Sequence, residues 1–61
     1  MKAIPAGTRV RVSGKANQWP FERVSDDGTI IGYDEKRGYL VELKNGRENL
    51  YFRRLNLTLK D

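Results

Sequence analysis

The sequence predicts an all-β domain of five short strands, and three observations lead there. Apolar and polar residues alternate over 8–13 and again over 56–60, which is the two-residue period of a strand with one buried face. Three runs rich in β-branched and aromatic residues, 29–33, 39–43 and 48–52, are parted by polar stretches too short for a helix. The dipeptide Asn45-Gly46 stands between the last two of these runs, and both residue types tolerate the positive φ that a two-residue hairpin turn requires.

Taken in order, Val10 and Val12 point one way in the first strand while Arg9 and Arg11 point the other. Residues 14–27 carry Gly, Asn, Gln, Pro, Ser and paired Asp in no regular period, and read as one long excursion with room for a short strand turn within it. The second strand follows at 29–33, a polar connection at 34–38 and the third strand at 39–43. Lys44, Asn45, Gly46 and Arg47 form the hairpin turn and 48–52 returns as the fourth strand. Arg53, Arg54 and Leu55 suit a single helical turn, and the fifth strand closes the chain at 56–60. The whole of 1–61 is expected to be one domain, with 1–6 as an N-terminal extension.

Composition narrows the chemistry. The chain has 61 residues, 12 Lys plus Arg against 8 Asp plus Glu, no His and no Cys. Zinc sites of Cys and His, Ser-His-Asp or Cys-His catalysis and disulfide scaffolding are therefore excluded. The absence of disulfides fits a cytoplasmic protein, and no apolar run approaches the roughly 18 residues of a membrane helix. The formal charge of +4 favours polyanions or acidic protein surfaces as partners. A domain this small buries only about 60% of its unfolded surface, so a partner or a second copy, giving a homo-oligomer, would add stability by mass action.

Five strands with a long first loop, a tight turn between the third and fourth, and a short 3-10 turn before the last resemble a small SH3-like barrel. That fold hosts many unrelated activities. The Ala-Leu-Tyr-Asp-Tyr strand and Trp pair of signalling SH3 domains are missing, which argues against recognition of proline-rich peptides. Gly7-Thr8-Arg9-Val10-Arg11-Val12-Ser13-Gly14-Lys15 with Gly28-Thr29-Ile30 is similar to the KOW motif of ribosomal and transcription-elongation proteins, and that resemblance implies contact with RNA, DNA or a nucleoprotein complex. The stretch 7–30, with Trp19 in its loop, also resembles a group of small photosystem I barrels and related electron-transport accessory barrels, which implies docking of an acidic protein. Gly28-Thr29-Ile30-Ile31-Gly32-Tyr33, Gly38-Tyr39-Leu40-Val41 and Asn49-Leu50-Tyr51 resemble type B dihydrofolate reductases, which implies a tetramer with a shared active pore. A stand-alone barrel this short fits a bacterial or phage chain.

Side-chain parity divides the strands into two faces. If the Asn-Gly turn sets the register, Tyr39, Val41 and Leu43 share a face with Leu50 and Phe52. Val10, Val12, Ile30, Leu55, Leu57 and Leu59 complete the expected core. The same parity turns Ile31, Tyr33, Leu40 and Tyr51 outward. Either a bulge shifts this parity or these are scattered surface hydrophobes, or they form a protein interface or self-association surface.

Trp19-Pro20-Phe21 reads as a lid folded over one end of the barrel or as an exposed contact, and the lid is favoured because small barrels need a loop aromatic to seal an end. The cations Arg9, Arg11, Lys15, Arg23, Arg53 and Arg54, with Trp19, are the candidate surface for nucleic acid or an acidic partner, since cations neutralise phosphates and an aromatic face accepts any base. The carboxylate pairs Asp26-Asp27 and Asp34-Glu35 fall in expected turns and lack calcium-loop spacing. No catalytic residue, metal site or cofactor is assigned. A binding module is the expected function.

Overall fold

The computed structural model describes residues 3–46 and 48–60. Residues 1 and 2 of the expected N-terminal extension and Arg47 of the expected turn lie outside them. Five strands, β1 (Arg9–Lys15), β2 (Arg23–Asp34), β3 (Gly38–Leu43), β4 (Asn49–Phe52) and β5 (Leu57–Leu59), form one antiparallel sheet in the order β4-β3-β2-β1-β5. A 3-10 turn, Arg54–Asn56, joins β4 to β5. The predicted all-β class and strand count hold, but the sheet does not close into a barrel, because β4 and β5 are its two edges. On the β4 edge the loop after β1 takes the place of a further strand at Tyr51: its carbonyl accepts from Asn17 N–H at 2.7 Å, and its N–H donates to Gln18 Oε1 at 3.0 Å.

The long excursion expected over 14–27 is mostly strand. β1 runs on to Lys15, β2 begins at Arg23, and the two pair without a break from Arg9↔Thr29 to Lys15↔Arg23. Only 16–22 is loop. The polar residues of this arm escaped the periodicity because water covers one of its faces and Asp26 finds partners on the other: Asn45 donates its backbone N–H to Asp26 Oδ2 at 2.9 Å and its side-chain amide to Oδ1 at 3.1 Å.

Those bonds also explain the β3–β4 connection. Its register is the one a two-residue turn at Asn45-Gly46 would set, with Tyr39↔Phe52 and Val41↔Leu50. Pairing nevertheless stops at Glu42↔Asn49, and neither Asn45 nor Gly46 has positive φ. Asn45 is drawn to β2 instead of turning the hairpin.

A β-bulge interrupts β2 and β3, with Ile30 opposite Val41 but Gly32 opposite Leu40. The unpaired Ile31 shifts parity beyond it. Tyr33 therefore lies opposite Tyr39, their ring centroids 4.8 Å apart and tilted by 54°, on the other face from Leu40 and Tyr51, where it stays 59% exposed. The expected apolar patch of Ile31, Tyr33, Leu40 and Tyr51 is split in two.

The core is one cluster on one face of the sheet: Val10, Val12, Ile30, Tyr39, Val41, Leu43, Phe52 and Leu57, joined by Ile4 and Ala16, with Val24 and Leu50 half-buried against it. With no second layer, these side chains reach near-zero exposure because the sheet curls around them. Ile4 is held there by its N–H, which donates to Tyr39 Oη at 2.9 Å. Leu55 and Leu59 do not belong to the core, being 78% and 49% exposed. Leu55 sits on the 3-10 turn, and among the described residues no strand lies beyond β5 to cover Leu59. Gly28 lets the curl tighten: a Cβ there would stand 2.5 Å from Val41 Cγ1 and 2.9 Å from the Glu42 carbonyl oxygen.

Candidate nucleic-acid interface

Alternation in β1 buries Val10 and Val12 and leaves Arg9, Arg11, Ser13 and Lys15 exposed. Directly paired residues of an antiparallel ladder share a face. Arg23, Ser25, Asp27 and Thr29 of β2 therefore stand on the same outer face as the β1 cations. Lys60, one residue past β5, joins them through Asp27, its Nζ 3.1 Å from Oδ2. Five cations thus share this surface with the carboxylates of Asp27 and Glu42.

The cations are not equivalent. Arg11 is committed, with its guanidinium 3.3 Å from Asp27 Oδ1 and donating to Ser25 Oγ at 3.0 Å. Asp27 is held below the ordinary carboxylate range first by its bond to Lys60 and then by Arg11. Arg9, Lys15 and Arg23 have no carboxylate within ion-pair distance among the described residues. Lys15 and Arg23 lie directly opposite one another in the ladder, an arrangement of like charges that destabilises a sheet.

From this pair the chain passes into the loop that carries Trp19. The lid reading is overturned, since Trp19 is 82% exposed and Phe21 is exposed as well. The loop is nonetheless braced. Ala16 N–H donates to the Glu22 carbonyl at 2.8 Å, Phe21 N–H to the Gln18 carbonyl at 2.6 Å, and Asn17 Nδ2 to the Arg37 carbonyl at 2.7 Å. Trp19 precedes a cis Pro20, and Phe21 adopts φ of 60°, a left-handed conformation that costs a residue with a side chain roughly 1–2 kcal/mol. With both aromatics turned into water, the core neither fixes nor covers them.

Arg53 and Arg54 stand outside the row. Arg53 packs its backbone against Gly38, at the β2–β3 turn. Arg54 donates to the Leu57 carbonyl at 2.7 Å, so its guanidinium secures the 3-10 turn. The structure adds two residues that sequence reasoning missed. Lys60 follows Thr58 by two along the final strand, so its parity was readable. Arg37 lies over the Tyr51 ring at 5.6 Å from its centroid, and nothing in a turn sequence announces such an approach.

Among the described residues, no group of three or more Asp and Glu is placed to hold a metal ion, and no helix is long and apolar enough to cross a membrane. Compared with known proteins, the chain matches no family model, no curated protein and no solved structure.

Proposed function

We propose that this chain is a binding module for single-stranded nucleic acid, with the phosphate backbone following Lys15, Arg23, Arg11 and Arg9 and a base stacked on Trp19. The observation that carries this reading is the opposed pair Lys15 and Arg23 at the root of the loop that exposes Trp19. A polyanion relieves the repulsion between the two cations, and a base supplies the flat partner that an exposed indole lacks. An acidic protein surface would match the cations but has no particular use for Trp19.

The test is titration of the full chain with mixed-sequence single-stranded DNA and RNA at low and near-physiological salt, followed by Trp19 fluorescence and amide NMR. Quenching and salt-sensitive shifts along β1 and at Arg23 are expected. In Lys15→Ala/Arg23→Ala, the salt slope should fall by about 0.7 for every phosphate of a single strand that is no longer neutralised. Trp19→Ala should remove about 1–3 kcal/mol of stacking. Absence of any shift at low salt overturns the assignment.

A further inference from the structure

The opposite side of the same loop carries a second feature. A groove of about 590 Å³ runs between the 16–22 loop, the first residues of β2 and the β3–β4 connection, a size within the range of specific ligand sites. Val24, Leu43 and Leu50 give it an apolar floor, and Trp19 stands at its wall. Glu22, Asp26 and Glu48 line it against a single described cation, Arg23. Glu22 and Glu48 are exposed and have no ion-pair partner among the described residues. Asp26 is fixed in position by Asn45.

We infer that this groove is a docking site for a short extended peptide segment of a partner, one that places an apolar side chain on the Val24, Leu43 and Leu50 floor and flanks it with lysine or arginine. The occupant's charge follows from the groove itself. Exposed carboxylates on the rim attract cations and repel phosphate, so the groove favours a basic occupant over the nucleic acid proposed for the outer face. An uncharged apolar segment would fill the floor but leave Glu22 and Glu48 unanswered. The two sites lie on opposite faces of β2, because Val24 and Asp26 alternate with Arg23, Ser25 and Asp27. They meet at Trp19, Arg23 and Ser25, which line the groove as well.

The experiment titrates the full chain with a blocked peptide alternating leucine and lysine, and with its counterpart carrying glutamate in place of lysine. Binding is followed by amide NMR and by sedimentation. Shifts at Val24, Leu43 and Leu50 with the lysine peptide, and none with the glutamate peptide, are expected. Glu22→Lys/Glu48→Lys should weaken the lysine peptide by roughly tenfold or more, while Arg9→Ala/Lys15→Ala leaves it unchanged. The proposal is overturned if the two peptides bind alike, if neither shifts the floor residues, or if charge reversal at Glu22 and Glu48 has no effect. It is overturned equally if sedimentation shows a dimer that the peptide merely dissociates, since the occupant would then be a second copy of this chain. Loss of nucleic-acid binding in the parallel titration leaves these readouts untouched, so the two sites fail separately.

Discussion

Gly28 and Lys15 constrain the chain in opposite ways. At Gly28 the missing side chain is structural: Val41 and the Glu42 carbonyl occupy the space a methyl group would need. Gly28→Ala should destabilise the domain by about 1–3 kcal/mol, the usual cost of overpacking a core, read as a lower denaturation midpoint. At Lys15 the side chain present opposes stability, because it faces Arg23 across the ladder. Lys15→Glu should raise stability by about 0.2–1 kcal/mol through a favourable cross-strand pair, and at the same time weaken nucleic-acid binding. A variant that gains in melting temperature while losing affinity separates a functional cation from an ornamental one. Loss of both would mean that Lys15 serves the fold.

Among the elements, β4 and the 3-10 turn differ most in what they contribute. Phe52 is fully buried, whereas Leu55, three residues on, lies in water. Phe52→Ala should cost about 3–5 kcal/mol, and Leu55→Ala less than about 0.5 kcal/mol, as measured by chemical denaturation. Since a domain of this length holds roughly 0.05–0.15 kcal/mol per residue, the first change removes about a third or more of its stability. Strands with one dry face were legible in the sequence: β1, β3, β4 and β5 fall within about two residues of their expected bounds because Val10, Val12, Val41, Phe52 and Leu57 mark a two-residue period. The first arm of β2 was not legible. Its inward positions are Val24, Asp26 and Gly28, and one apolar side chain in three gives no period. A parity-shifting bulge was one of the expected readings of Ile31, Tyr33, Leu40 and Tyr51, and the structure has it; its exact position was not legible, since Ile30-Ile31 suits a strand in either register. Of the candidate site, parity placed Arg9 and Arg11 on one face, and Lys15 and Arg23 were grouped with them from the neighbouring loop. That Lys15 and Arg23 stand opposite one another on that same face, and that Arg53 and Arg54 lie outside it, required the ladder and the Leu57 carbonyl.

At the scale of the whole molecule, Asp26 and Asp27 tie distant parts of the chain and Asp34 holds the β2–β3 turn, and their protonation links stability to pH. Asp26 is lowered first by the Asn45 backbone N–H, Asp27 by Lys60 and then Arg11, and Asp34 by the N–H groups of Lys36 and then Arg37. All three lie below the ordinary value of 3.8 in the folded state. In that acid window the unfolded chain binds more protons, so stability rises with pH. The contribution is fully present above 3.8 and is lost as pH falls through the lower folded values. Melting temperatures measured from neutral pH downward should drop most steeply below about pH 4, and Asp26→Asn/Asp27→Asn/Asp34→Asn should flatten that drop.

The bonds that Asn17 and Gln18 make to Tyr51 have one more consequence. A sheet grows by adding chains at both borders, and a fibril needs two exposed templates per molecule. Here the β4 border is capped at Tyr51 by its own loop, and the other is the three-residue β5. Strand addition between native copies is therefore favoured along β5, where it joins molecules in pairs while the loop stays in place.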